Sequence, residues 1–100
     1  MAMSIMLQDE RNNTLGRVDD AANLFVHLLP DGDDRSLMLR FIDPYGDTVF
    51  NGRQASVVVA ELSWLAQGAS GEELGIVDKV RELAVRCARE PHLYLRFEGD

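Results

Sequence analysis

Apolar and polar residues alternate at both ends of the chain. Ile5 and Leu7 alternate with Ser4 and Gln8, and Leu93, Leu95 and Phe97 alternate with His92, Tyr94, Arg96 and Glu98. A period of two is that of a strand with one buried face, so strands are predicted over 3–9 and 92–98. Residues 14–18 read as the return strand of a first hairpin. Asn12-Asn13 supplies the positive φ angles of a two-residue turn, and closing there sets Leu7 opposite Val18 and Gln8 opposite Arg17.

Elsewhere the spacing lengthens to about 3.6 residues. Leu24, Phe25, Leu28 and Leu29 share one face of a short helix that Asp19-Asp20 caps and Pro30 stops, with His27 on the solvated side beside Asn23. Over 53–67, Ala55, Val58, Val59, Leu62, Leu65 and Ala66 fall on one face. The run Val57-Val58-Val59 is β-branched, but the continuation AELSWLAQ is rich in helix formers and too long for a strand. A second stripe, Val57, Ala60 and Trp64, is expected to meet a neighbouring helix. After a break at Gly68-Ala69, Ser70 and Glu73 have capping-box spacing for a long helix that ends by Pro91. Its inner face is Ile76, Val77, Val80, Leu83, Ala84 and Cys87; its outer face carries Glu82 and Arg86 as an i,i+4 pair.

The stretch LMLRFIDPYGDTVFNG, 37–52, reads as a second hairpin. Pro44 fixes the first corner of a turn, Gly46 suits a left-handed closing position, and Asp43 accepts bonds from the turn's own amides. This register sets Asp43 opposite Asp47, Phe41 opposite Val49 and Arg40 opposite Phe50. Facing aspartates repel unless backbone donors, an arginine or a cation neutralise them, so a cation or partner-arginine site is the reading that competes with plain turn chemistry. L-x-L-R-F recurs at Leu37 to Phe41 and at Leu93 to Phe97, which suggests two strands facing one core.

Together the elements run ββαββααβ: an α+β fold in one domain, 1–100, with a mainly antiparallel five-stranded sheet and three helices on one face of a two-layer sandwich. The other face is left uncovered and gathers Met6, Met38, Arg40, Phe50, His92, Tyr94 and Arg96. Aromatic, Met and Arg side chains are enriched at protein interfaces.

Charge narrows the partners. The 100 residues carry a net charge of −7, which opposes nucleic acid and anionic membrane surfaces. Nine of the ten basic residues are Arg, whose planar forks suit carboxylates where two elements meet. Cys87 is the only cysteine, so no intramolecular disulfide forms, and on the apolar side of its helix it reads as inert packing. The N-terminal stretch lacks a basic patch followed by an apolar run, and the reducing cytoplasm is the expected compartment. No phosphate loop, paired Cys or His, or nucleophile elbow is present, so no cofactor and no metal is expected. DGDDRS lacks the glutamate a calcium loop starting at Asp31 requires; that position is Ile42.

These observations predict a small acidic binding module, an inhibitor, immunity-like protein or regulatory subunit. It would engage a protein partner or a second copy through the uncovered sheet face or the acidic loops. The predicted binding residues are Arg40, Phe50, His92, Tyr94, Arg96, Asp43 and Asp47. The alternative is a small enzyme or small-molecule binder with a pocket between sheet and helices. His92 with Asp43 or Asp47 is the first catalytic pair to test.

Overall fold

The computed structural model describes residues 2–30 and 36–99. Asp31 to Asp34, and the calcium loop weighed there, lie outside the described residues. The elements are β1 (Met3–Asp9), β2 (Thr14–Asp20), α1 (Leu24–Leu28), a 3₁₀ turn (Leu39–Phe41), β3 (Asp47–Asn51), α2 (Gly52–Gln67), α3 (Gly71–Arg89) and β4 (Leu93–Glu98). The strands form one antiparallel sheet in the order β2-β1-β4-β3. The fold is α+β with three α-helices, as expected, but the sheet has four strands among the described residues rather than five.

The strand predicted over 37–42 is the 3₁₀ turn, and the cause lies in α2. Glu61, 7 % exposed, accepts hydrogen bonds from Ser36 Oγ at 2.7 Å, Met38 N–H at 2.8 Å and Leu39 N–H at 3.3 Å. Ser36 Oγ in turn accepts from Arg40 N–H at 3.0 Å. These bonds occupy the amides that a ladder would need. The turn seats Leu39 in the core and leaves Phe41 60 % exposed, so the L-x-L-R-F echo joins two segments of different structure.

Pro44 and Tyr45 do form the corner of a turn, closed by Gly46 N–H to the Asp43 carbonyl at 3.3 Å, with Tyr45 N–H bonded to Asp43 Oδ1 at 2.8 Å. It leads into β3 and joins no pair of strands. Asp47 consequently stands opposite Glu98, not Asp43, and Gly46 does not take the positive φ predicted for it. A Cβ on Gly46 meets only the tip of Asp43, whereas one on Gly99 falls 2.5 Å from the Pro44 backbone. Gly99 also donates to the Gly46 carbonyl at 2.7 Å. Gly46→Ala is therefore expected to cost under about 1 kcal/mol, and Gly99→Ala about 1 to 2 kcal/mol through loss of that bond. Urea melts of both variants check the order; a larger loss for Gly46→Ala would show that the turn is misassigned.

The first hairpin forms with a different register. Asn12 takes φ 65°, but Asp9 organises the loop, accepting from Arg11 N–H, Asn13 N–H and Asn13 Nδ2 at 2.9 to 3.0 Å. The longer loop shifts the pairing to Ile5 with Val18, Met6 with Arg17 and Leu7 with Gly16, and a bulge follows before Gln8 pairs with Thr14. Leu7 and Val18 thus remain on one face while pairing with other residues.

α1 is shorter than predicted. Asp20, the last residue of β2, caps it from outside, accepting from Leu24, Phe25 and Val26 N–H. α2 begins with a capping box at Asn51 and Gln54. The box predicted at Ser70 and Glu73 is absent: Gly71 enters α3 at φ 58°, and the Ser70 side chain accepts no capping bond. On the outer face of α3, Arg86 pairs with Glu90 at 2.7 Å instead of with Glu82.

Ile5, Leu7, Val18, Phe25, Leu39, Phe50, Leu95 and Phe97 form a continuous core with Val58 and Leu62 of α2 and Val77, Val80, Ala84 and Cys87 of α3. Burial pushes the Cys87 thiol up to about 11, which keeps it protonated and unreactive at neutral pH. Phe50, predicted on the uncovered face, is 3 % exposed and packs edge-on to Phe97 at 5.8 Å. Its true partner strand is β4, which sets it opposite Leu95. Val57, Ala60 and Trp64 border a groove with Leu37 and Glu61.

Candidate functional site

The pleat turns the second set of strand residues away from the core. Across β2, β1, β4 and β3 these fall in three rows. Asp19, Ser4, Glu98 and Asp47 form the first; Arg17, Met6, Arg96 and Val49 the second; Thr14, Gln8, Tyr94 and Asn51 the third. Polar groups surround Met6 at the centre of the face.

Those polar groups are tied to one another. Ser4 Oγ donates to Asp19 Oδ1 at 2.7 Å, and Arg17 spans both, its Nε on Asp19 Oδ1 at 2.9 Å and its Nη2 on Ser4 Oγ at 3.2 Å. The Ser4 hydroxyl and the Arg17 guanidinium hold the Asp19 carboxyl below its usual range. Arg96 bridges β1 and β3, with Nε on Gln8 Oε1 and Nη1 on Asp47 Oδ2, both at 2.9 Å. Arg17 Nη1 and Gln8 Nε2 reach the Met6 sulfur at 3.8 and 3.9 Å. The stems of these long side chains bury Met6 while their heads stay wet.

Next to this lattice the face turns apolar. Val49 is 45 % exposed and Tyr94 38 % exposed. With Gln8, Asp9, Glu10, Asn12 and Arg96 they line a hollow of about 250 Å³. Of its carboxylates, Asp9 is committed to the loop: Asn13, through its backbone and side chain, and to a lesser degree Arg11 hold its carboxyl below the usual range.

Of the predicted binding residues, Tyr94, Arg96 and Asp47 come together on this face. Phe50 does not, for the reason above. Arg40 belongs to the 3₁₀ turn, exposed, with its guanidinium 5.0 Å from the Phe41 ring centroid, whereas Met38 packs against the core. His92 precedes β4 at φ 62° and faces Glu10 across 3.8 Å. Asp43 is spent on its turn. Val49 was missed, since its place depends on the pairing of β3 with β4, and so was the meeting of Gln8, on the polar side of β1, with Arg96.

The predicted catalytic pair is not assembled. Asp47 stands opposite Glu98, six residues along the chain from His92, roughly 20 Å in an extended strand. Asp43 lies at the same far end, where Gly99 approaches Pro44. Among the described residues, no three His, Cys, Asp or Glu side chains gather where a metal ion could be held, and no helix is long and apolar enough to cross a membrane. In comparisons with known proteins the chain matches no family model, no curated protein and no solved structure.

Proposed function

We propose that the chain is a small interaction module, a two-layer sandwich whose helices lie on one side of the sheet and whose other face receives a protein partner with a basic surface. The carrying observation is the pair Val49 and Tyr94, exposed beside Arg96 on a face whose polar neighbours are fixed by mutual hydrogen bonds. A preformed patch of this kind binds with little ordering cost. Asp9, Glu10 and Glu98 add negative charge around it, within a chain of net charge −7. The charge favours a basic partner over a second, equally acidic copy. An inhibitor, immunity-like protein or regulatory subunit fits this description.

The test uses Val49→Ser with Tyr94→Ala, two exposed positions whose replacement leaves the Arg96 lattice intact. A partner recovered from the native host is expected to bind the double variant about 10-fold or more weakly, and to bind the wild type less tightly as salt rises. Calorimetry on the purified pair reads both effects. Unchanged affinity in the variant removes this face as the binding site, and a mass that doubles with concentration in sedimentation assigns it to self-association instead.

A further inference from the structure

A second cleft, of about 510 Å³, opens where the end of α3, the start of α2 and the start of β4 meet. Its charged lining runs against the sign of the chain. Arg53 and Arg89 border it, and the one carboxylate of its lining, Glu90, is already held by Arg86 Nε at 2.7 Å. Most of the other arginines have uses: Arg17 and Arg96 pair with aspartates, Arg40 lies over Phe41, and Arg81 donates to Ser63. The Arg53 and Arg89 guanidiniums make no hydrogen bond or ion pair with another described residue. In a protein with seventeen acidic and ten basic residues, this cleft sets two exposed guanidiniums, unpaired among the described residues, on one concave surface.

We propose that this cleft binds a small molecule bearing a phosphate group, held between Arg53 and Arg89, with the remainder against Pro91 and the Tyr94 ring. A single guanidinium fork satisfies the two oxygens of a carboxylate; two forks from different helices call for a group with more acceptors and more charge, which a phosphate supplies. The cleft volume is that of a small-ligand site. The net charge opposes a polyanion such as nucleic acid, leaving a free phosphorylated metabolite as the class. The site lies where the end of the sheet at β4 meets the ends of α2 and α3, and it shares Tyr94 with the partner-binding face; Arg53 and Arg89 belong to this cleft alone, so their replacement tests it separately.

The experiment follows backbone amide NMR shifts of the full chain during titration with pyrophosphate, inorganic phosphate and, at matched ionic strength, acetate. Saturable shifts are expected for Gly52, Arg53 and His92 with the two phosphates, sparing Asp47 and Val49. Arg53→Ala with Arg89→Ala, both exposed, should keep the folded spectrum and raise Kd about 10-fold or more. Arg11→Ala with Lys79→Ala removes the same charge elsewhere and should leave Kd unchanged. The proposal is overturned if the phosphates give no saturable shift, if acetate reproduces the shifts, or if the control variant weakens binding as much.

Discussion

Glu61→Ala is expected to destabilise the protein by about 3 kcal/mol or more and to release the 36–42 segment from the core. Each buried donor left without its acceptor costs about 1 to 3 kcal/mol, and the substitution strands two amides and a hydroxyl at once. Among the described residues, the amides of Met38 and Leu39 and the hydroxyl of Ser36 donate to this carboxylate, and Ser36 and Leu39 are buried. The cheaper response is for the segment to lift away and reach water, which withdraws Leu39 and Ile42 from the core. Glu61→Gln keeps one acceptor but turns an NH₂ toward the other donors, so its loss should be smaller. Urea melts give the stability, and trypsin cleavage after Arg40 reports release of the segment. Wild-type stability with unchanged cleavage in Glu61→Ala would sink the idea that this carboxylate anchors the segment.

That carboxylate also marks where reading the sequence stops succeeding. β1, β4, α2 and α3 each carry their own periodicity, so Leu95, Phe97, Val58, Leu62 and Val80 were legible as core. Leu37 to Phe41 alternates as well as any strand. What decides against a strand is an acceptor that hydrogen-bonds Leu39 from 22 residues further along, on the buried side of another element. Nothing local to the segment signals it. A single wrong strand then propagated: pairing Phe50 with Arg40 set its parity, and parity decides which face of a sheet a residue occupies. Tyr94 and Arg96 fall on the outer face as read because alternation within β4 alone fixes them. Val49, and the contact of Gln8 with Arg96, needed the order β2-β1-β4-β3, and Arg53 and Arg89 needed the meeting of helix ends that no spacing reports. The Asn51-Gln54 box that opens α2 is a capping pattern local to its own segment.

Asp20→Ala is expected to cost about 3 kcal/mol, far more than removal of its equally charged neighbour Asp19. Asp20 is 1 % exposed; Oδ1 accepts from Leu24 N–H at 2.8 Å, and Oδ2 accepts from Phe25 N–H at 2.9 Å and Val26 N–H at 3.2 Å. α1 is only five residues long, too short to hold its shape unaided, so it depends on this carboxylate and on Phe25. Phe25 stacks on Phe97 at 5.9 Å, and Phe97 in turn receives Phe50 edge-on. Losing the carboxylate therefore strands up to three amides and loosens an aromatic cluster at the centre of the core. Asp20→Asn, with one carbonyl oxygen for three donors, should fall between wild type and Ala. Asp19 bonds Ser4 and Arg17 at the wet outer face, where water replaces it, and Asp19→Ala should change the melt little. Urea melts of the three variants, read by far-UV dichroism, together with the ring-proton shifts of Phe25 and Phe97, test the ordering. Equal losses at Asp19 and Asp20 would mean that net charge, and not the three amide bonds, sets the contribution of this corner of the fold.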